Sequence, residues 1–263
     1  PTATENVWGA GLKDAKRQSP STALADVAQS VTGVILGIFL FCHMAFTSSV
    51  QISKDLFANL INTSGGMFMF AEEQAWLHVV FVGFITLCVV IHAFCALRRF
   101  PTSYHQLRDI KAHYKMLRHE DTTLWMVQLV TAFLLFIFVF PHLISMLCNP
   151  HGFDVNLIGV HTHHMGMIYT FVFLVITELH GMIGLYRLAV KWDIFAKNPE
   201  TDIIDQRNGD RAGLRKTFLF IALLMIVCGT LTAWKNYSIG AELIENGQEA
   251  TRYVLADENN WWK

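Results

Sequence analysis

The chain has 263 residues, 53% of them hydrophobic and 16% charged, with a formal net charge of −1. Its mean hydropathy of +0.37 is too high for an ordinary soluble domain, and the near-zero charge offers nothing to nucleic acid. Its cysteines (Cys42, Cys88, Cys95, Cys148, Cys228) form no CxxC pair and no CxxCH. That argues against c-type haem, an iron–sulfur cluster held by this chain alone, and a disulfide framework.

Several apolar runs of about twenty residues are long enough to cross ~30 Å of hydrocarbon as helices. They predict an all-α, polytopic membrane protein: one membrane domain over residues 1–263, without the alternating pattern of a membrane β-barrel. Residues 1–28 are polar, with Lys13, Lys16 and Arg17, and read as a surface segment ahead of a retained first helix. The first span covers about 29–50; His43 lies deep in it. Its Gly33 and Gly37 suit either close helix packing or a flat cofactor. A loop at 51–71 contains Asn62-Thr63-Ser64-Gly65-Gly66. The second span covers 72–97, with His78 near its start and His92 near its end, and Arg98-Arg99-Phe100-Pro101 stops it. Residues 102–120 repeat apolar side chains at spacings of three and four, which predicts an amphipathic helix on the membrane surface.

The third span covers 123–147, capped by Asp121-Thr122, and Pro141 kinks it just before His142. A loop at 151–162 leads to the fourth span, 163–190, which carries Glu178 and His180. A polar loop at 191–213 leads to the fifth span, 214–234, and residues 235–263 form a polar tail.

Five spans put the termini on opposite sides, and Lys and Arg decide which is which. Loop 98–120 holds six of them (Arg98, Arg99, Arg108, Lys111, Lys115, Arg118), and 191–216 holds six more (Lys191, Lys197, Arg207, Arg211, Arg215, Lys216). Segment 51–71 holds one and 148–162 none. The N-terminus is therefore expected in the cytoplasm and the C-terminus in the periplasm. At 1.5 Å per residue, His43 lies ~21 Å and His142 ~27 Å from the cytoplasmic ends of their spans, in the outer half. His92 lies ~28 Å and His180 ~24 Å down their descending spans, near the cytoplasmic side. Two histidines from different spans thus share each level. Axial imidazole pairs make haem iron six-coordinate and suited to electron transfer, so the pattern points to two stacked b-type haems.

Glu178 is two residues from His180 and points to another helical face. A bare carboxylate is costly in the bilayer, so Glu178 reads as a proton-handling group rather than as an aid to His180. Gln29, Ser30, Lys191 and Trp125 lie at the cytoplasmic boundary, placed for haem propionates. His78, His161, His163 and His164 lie toward the outer interface, where His163 and His164 could serve a proton exit or a quinone pocket. His105, His113 and His119 fall in the cytoplasmic loop.

These residues carry a family resemblance. The segments are Gly37-Ile38-Phe39-Leu40-Phe41-Cys42-His43-Met44, Ile91-His92-Ala93-Phe94, Arg118-His119-Glu120-Asp121-Thr122-Thr123-Leu124-Trp125, and Glu178-Leu179-His180-Gly181-Met182-Ile183-Gly184-Leu185-Tyr186-Arg187-Leu188-Ala189-Val190-Lys191-Trp192. The chain resembles the di-haem cytochrome b anchor of bacterial menaquinol:fumarate reductases, within the succinate:quinone oxidoreductases. The resemblance implies His92 and His180 on a proximal haem, His43 and His142 on a distal haem, and Glu178 in a transmembrane proton pathway. It implies menaquinol oxidation near the distal haem, with electrons passing through the proximal haem to an iron–sulfur subunit. A FAD-containing flavoprotein subunit then reduces fumarate. It implies a glutamate near the outer start of the second span; the spacing falls instead at Gly65 or Gly66, and Glu72 and Glu73 are the nearest carboxylates. Membrane lipid and quinone are the remaining partners, and the oligomeric state, including a dimer of the heterotrimer, stays open. Other readings of the same features are a succinate:quinone reductase anchor, the cytochrome b of a hydrogenase or formate dehydrogenase, and a proton-coupled transporter using its intramembrane His and Glu.

Overall fold

The computed structural model describes residues 20–66, 69–70, 74–98, 100–117, 120–194 and 204–255. These form eight α-helices: α1 Pro20–Ser48, α2 Lys54–Ser64, α3 Ala75–Leu97, α4 Tyr104–Leu117, α5 Glu120–Cys148, α6 Val155–Met165, α7 Met167–Lys191 and α8 Ile204–Glu245. A short 3₁₀ turn, Ser49–Gln51, ends α1. Five helices (α1, α3, α5, α7 and α8) are long and apolar enough to cross a membrane. Their polar side chains are turned back on their own backbone, as hydrocarbon requires. Thr32 donates to Ala28 O at 2.7 Å, Thr47 to His43 O at 2.9 Å and Thr86 to Val82 O at 2.7 Å. Large apolar residues such as Phe94, Ile168 and Phe220 face outward, where lipid would cover them.

Helix α7 lies centrally, packed against α1, α5 and α8, while α3 closes the bundle against α1 and α5. The end holding Arg98 and Lys191 is termed the inner end. There Asp26 pairs with Arg98 and lies 3.9 Å from Lys191. On the same level Arg215 pairs with Glu120, and Tyr186 donates to Asp121 at 2.7 Å.

The outer end is capped by two short helices that the hydropathy pattern did not separate. Segment 51–71, expected as a loop, contains α2. Ser53 caps it by accepting from Leu56 N at 2.9 Å, and Asp55 lies in its first turn, next to the positive end of the helix dipole. Segment 151–162, also expected as a loop, belongs mostly to α6, capped by Asp154 through Asn156 N and Leu157 N. Gly166, at φ 81°, separates α6 from α7, so the fourth span starts at Met167 rather than 163. Val50, Phe57, Ala58, Ile61, Val155 and Ile239 form the apolar core of this cap. Three other spans run longer than their apolar stretches: α1 begins at Pro20, α5 at Glu120, and α8 extends over 42 residues; α3 keeps to Ala75–Leu97. Asp121 thus lies in the first turn of α5 rather than capping it.

After Gly247, at φ 66°, the tail folds over the cap. Tyr253 OH donates to Asp55 at 3.0 Å, Tyr253 N donates to Asp154 at 3.1 Å, and Asn156 Nδ2 donates to Thr251 O at 3.1 Å. Burial, and then the Asp55 carboxylate, push the Tyr253 phenol up to about 12.

Candidate functional site

The bundle encloses a cavity of about 1670 Å³, larger than the roughly 300–1,000 Å³ of a pocket for one drug-sized ligand. It reaches from Gln29 and Lys191 at the inner end to Ser64, His78 and Asn149 at the outer end. His43 on α1, His92 on α3, His142 on α5 and His180 on α7 all line it.

At the inner level, His180 Nδ1 lies 3.2 Å from Gln128 O and 3.3 Å from Thr131 Oγ1. A carbonyl only accepts, so Nδ1 carries the hydrogen. Thr131 gives its own hydrogen to Val127 O at 2.8 Å, so its oxygen accepts too. His92 repeats the arrangement: Nδ1 lies 3.2 Å from Thr32 Oγ1, whose hydrogen goes to Ala28 O, and the Gln29 backbone is a further partner. Both rings therefore present Nε2 with a free lone pair, the form a metal needs. His92 is also an electrostatic neighbour of His180.

The outer level is built from aromatics. His43 stacks on Phe39, with centroids 5.3 Å apart, and His142 lies 5.5 Å from Phe173. His43 and His161 are the electrostatic neighbours of His142. In α5, Pro141 removes one N–H from the ladder, which frees the Ile137 carbonyl one turn below His142. Small residues admit the cavity between helices. A Cβ on Gly33 would come within 3.3 Å of the His92 ring, and one on Gly37 within 2.8 Å of Leu185. Gly33 thus gives space to a candidate ligand, and Gly37 to helix packing.

Among the described residues, no three of His, Cys, Asp and Glu converge as a metal site. Two imidazoles per level suit a metal whose remaining ligands come from a planar macrocycle, and the apolar lining suits such a ring. At the inner end, Gln29, Ser30, Trp125 and Lys191 all line the cavity. Lys191 Nζ donates to Ser30 Oγ at 3.2 Å, and Gln29 Oε1 is buried with no hydrogen-bond partner. The Lys191 ammonium is the donor here that fits a ligand bearing carboxylates, whereas Gln29 Oε1 is an acceptor and fits only a donor on the ligand.

Glu178 lines the same cavity, is fully buried, and has neither carboxyl oxygen hydrogen-bonded. Glu72 and Glu73 lie outside the described residues. His163 and His164 do not line the cavity; His163 packs on Tyr237 at 4.6 Å and His164 lies 3.9 Å from Glu249. Of the outer histidines, His78 and His161 reach the cavity instead. The sequence reading also passed over Gln128 and Arg187. Arg187 donates to Gln128 Oε1 at 2.6 Å, on the residue whose carbonyl orients His180. Arg187 is seven residues after His180, two turns along one face, and that spacing was the available signal.

Five membrane-length helices and paired imidazoles around one apolar cavity define an integral membrane protein built to hold a flat, metal-bearing cofactor. Residues 105–232 match the family described as succinate dehydrogenase/fumarate reductase transmembrane subunit. Over its near-full length the chain is similar to the fumarate reductase cytochrome b subunit of Helicobacter pylori, at 35% identity covering 98% of this chain and 97% of the relative. It is also similar to the fumarate reductase cytochrome b subunit of Wolinella succinogenes, at 32% identity covering 84% of each. The chain belongs to the family of fumarate reductase cytochrome b subunits.

Proposed function

We propose that this chain is the di-haem, quinol-oxidising membrane anchor of a fumarate reductase. The observation that carries the reading is the single cavity lined by four histidines from four helices, two of them with Nδ1 tied to carbonyl and hydroxyl oxygens. Haem b, when bound at each level, supplies a one-electron carrier between quinol and the partner subunits.

His92 and His180 would hold the inner haem, and His43 and His142 the outer one. The Gln128 carbonyl with Thr131, and Thr32, keep the inner imidazoles neutral at Nε2 and fix their ring planes. Lys191, Ser30, Gln29 and Trp125 would receive the propionates of the inner haem. Glu178, on another face of α7 from His180, would hold and pass protons across the middle of the bundle. Glu72 and Glu73 stand as candidate proton acceptors for menaquinol at the outer mouth. The N-terminus is assigned to the cytoplasm and the C-terminus to the periplasm. The surface helix α4 and the basic inner end would dock an iron–sulfur subunit and, through it, a FAD-containing flavoprotein.

The reduced-minus-oxidised spectrum of the purified complex tests this reading. Two b-type haems per chain are expected, and His180→Ala should remove the inner one while the protein still assembles in the membrane. A complex with no b-type band, or a His180→Ala variant that keeps two haems, refutes it.

A further inference from the structure

Arg187 and Gln128 belong to none of the roles above, yet they meet beside His180. On α7, His180, Gly184 and Arg187 follow at steps of four and three residues, so they share one face of the helix. On α5, Gln128 and Thr131 are three residues apart, and both contact that face. Helical side chains lean toward the N-terminus, so Arg187 reaches back over Gly184 and donates to Gln128 Oε1 at 2.6 Å. A guanidinium only donates, so the amide oxygen faces Arg187 and the amide nitrogen faces away. That nitrogen lies against Gly184, where an added Cβ would come within 2.9 Å of it. The Gln128 side chain is thus held by a donor on one side and fitted into the notch of a glycine on the other.

The backbone of the same residue touches the histidine. Gln128 O lies 3.2 Å from His180 Nδ1, at the long end of the N–H···O range, so any further separation of α5 from α7 weakens this bond. The Arg187–Gln128 bond ties the two helices together at that level. The charge of Arg187 acts elsewhere, on Tyr186, whose OH donates to Asp121 at 2.7 Å. The electrostatic neighbour of His180 is His92.

We propose that Arg187, acting through Gln128, sets the redox potential of the haem held by His180. The inference rests on the di-haem function proposed above. A carbonyl that accepts from Nδ1–H makes the imidazole a stronger donor at Nε2, which favours ferric over ferrous iron. Ferrous iron forms by gain of one electron, so a weaker bond at Nδ1 raises the midpoint. Arg187 and Gln128 are positioning residues, working through His180.

The test is a redox titration of the whole purified complex, followed by its b-type absorbance. Thr131→Val removes the second oxygen at His180 Nδ1, and the midpoint it raises is that of the inner haem. Gln128→Leu keeps the backbone carbonyl and the Arg187 charge but removes the amide that joins the helices. It should raise the same midpoint by about 59 mV, a tenfold shift of a one-electron equilibrium. The other midpoint and the count of two haems per chain should not change. Arg187→Leu should also raise it, whereas an effect of charge alone would lower it, because loss of a cation disfavours the added electron. An inner midpoint that Gln128→Leu leaves within about a twofold shift of the unaltered equilibrium overturns the proposal. So does a fall in Arg187→Leu, which would make Arg187 a charge and not a clamp, or loss of the inner haem from both variants, which would make the pair a structural contact. Two midpoints unmoved by Thr131→Val overturn it as well, since hydrogen bonding at His180 would then not govern the potential. An unaltered complex without b-type haem overturns the proposed function itself, and this inference with it.

Discussion

Glu178 is costly to bury, and among the described residues no hydrogen bond offsets that cost. It is fully buried, and both of its oxygens lack hydrogen-bond partners. A buried polar group left unsatisfied costs about 1–3 kcal/mol. Leucine has similar bulk and no such cost. Glu178→Leu should therefore raise the stability of the detergent-solubilised complex by roughly that amount, read as a higher midpoint of thermal unfolding. Quinol oxidation should fall on the order of 10²-fold, the scale of a lost proton-transfer group. A variant that is less stable would show that the carboxyl has a partner in the assembled complex. The sequence exposed this residue readily, because a carboxylate inside an apolar run stands out. It hid Thr32 and Thr131, because a threonine in a membrane helix reads the same whether it bonds its own backbone or also a histidine. Both do both here.

At the scale of elements, the five long helices were legible because each carries enough apolar length to cross the bilayer. The caps α2 and α6 were not. They are short, their buried residues pack against each other and α8 rather than lipid, and their signals are single capping side chains, Ser53 and Asp154. Helix α6 depends on a close approach to α8. A Cβ on Gly240 would lie 2.2 Å from Gly159 O, and one on Gly159 would lie 3.1 Å from Gly240 N. The two backbones touch, as small residues at helix crossings permit. Gly240→Leu should cost about 1–3 kcal/mol or more, because the backbones must separate. The outer cap should loosen first, seen as faster amide hydrogen exchange in α2 and α6. Gly213→Ala on the same helix, with nothing within 4 Å of the added carbon, should be neutral or stabilising by up to about 1 kcal/mol. A gain in stability in both variants, which helix propensity alone predicts, would mean that α8 responds to propensity rather than to the crossing.

For the whole molecule, the pairing of histidines by depth and their convergence on one cavity stand or fall with the antiparallel order of the spans. Depth along each span needs only 1.5 Å per residue and alternating direction, so the two levels were readable before any contact was known. Absolute orientation is a separate matter, because the bundle would pack identically if inverted. The orientation proposed above rests on Lys and Arg in the connecting segments, and the native cysteines offer a check without added tags. Cys148 ends α5 and is exposed, while Cys95 lies at the inner end of α3, its carbonyl accepting from Arg98 at 2.8 Å. Cys42 and Cys228 sit within spans, where a polar reagent has no access, and Cys88 is buried. A membrane-impermeant maleimide should therefore label Cys148 on intact cells and leave Cys95 untouched. Inverted vesicles stripped of the cytoplasmic subunits should show the reverse, and Cys148→Ser should abolish the signal from intact cells. Labelling of Cys95 from outside would invert the orientation, moving the proposed quinol site to the cytoplasmic side while leaving the geometry of the histidine pairs unchanged.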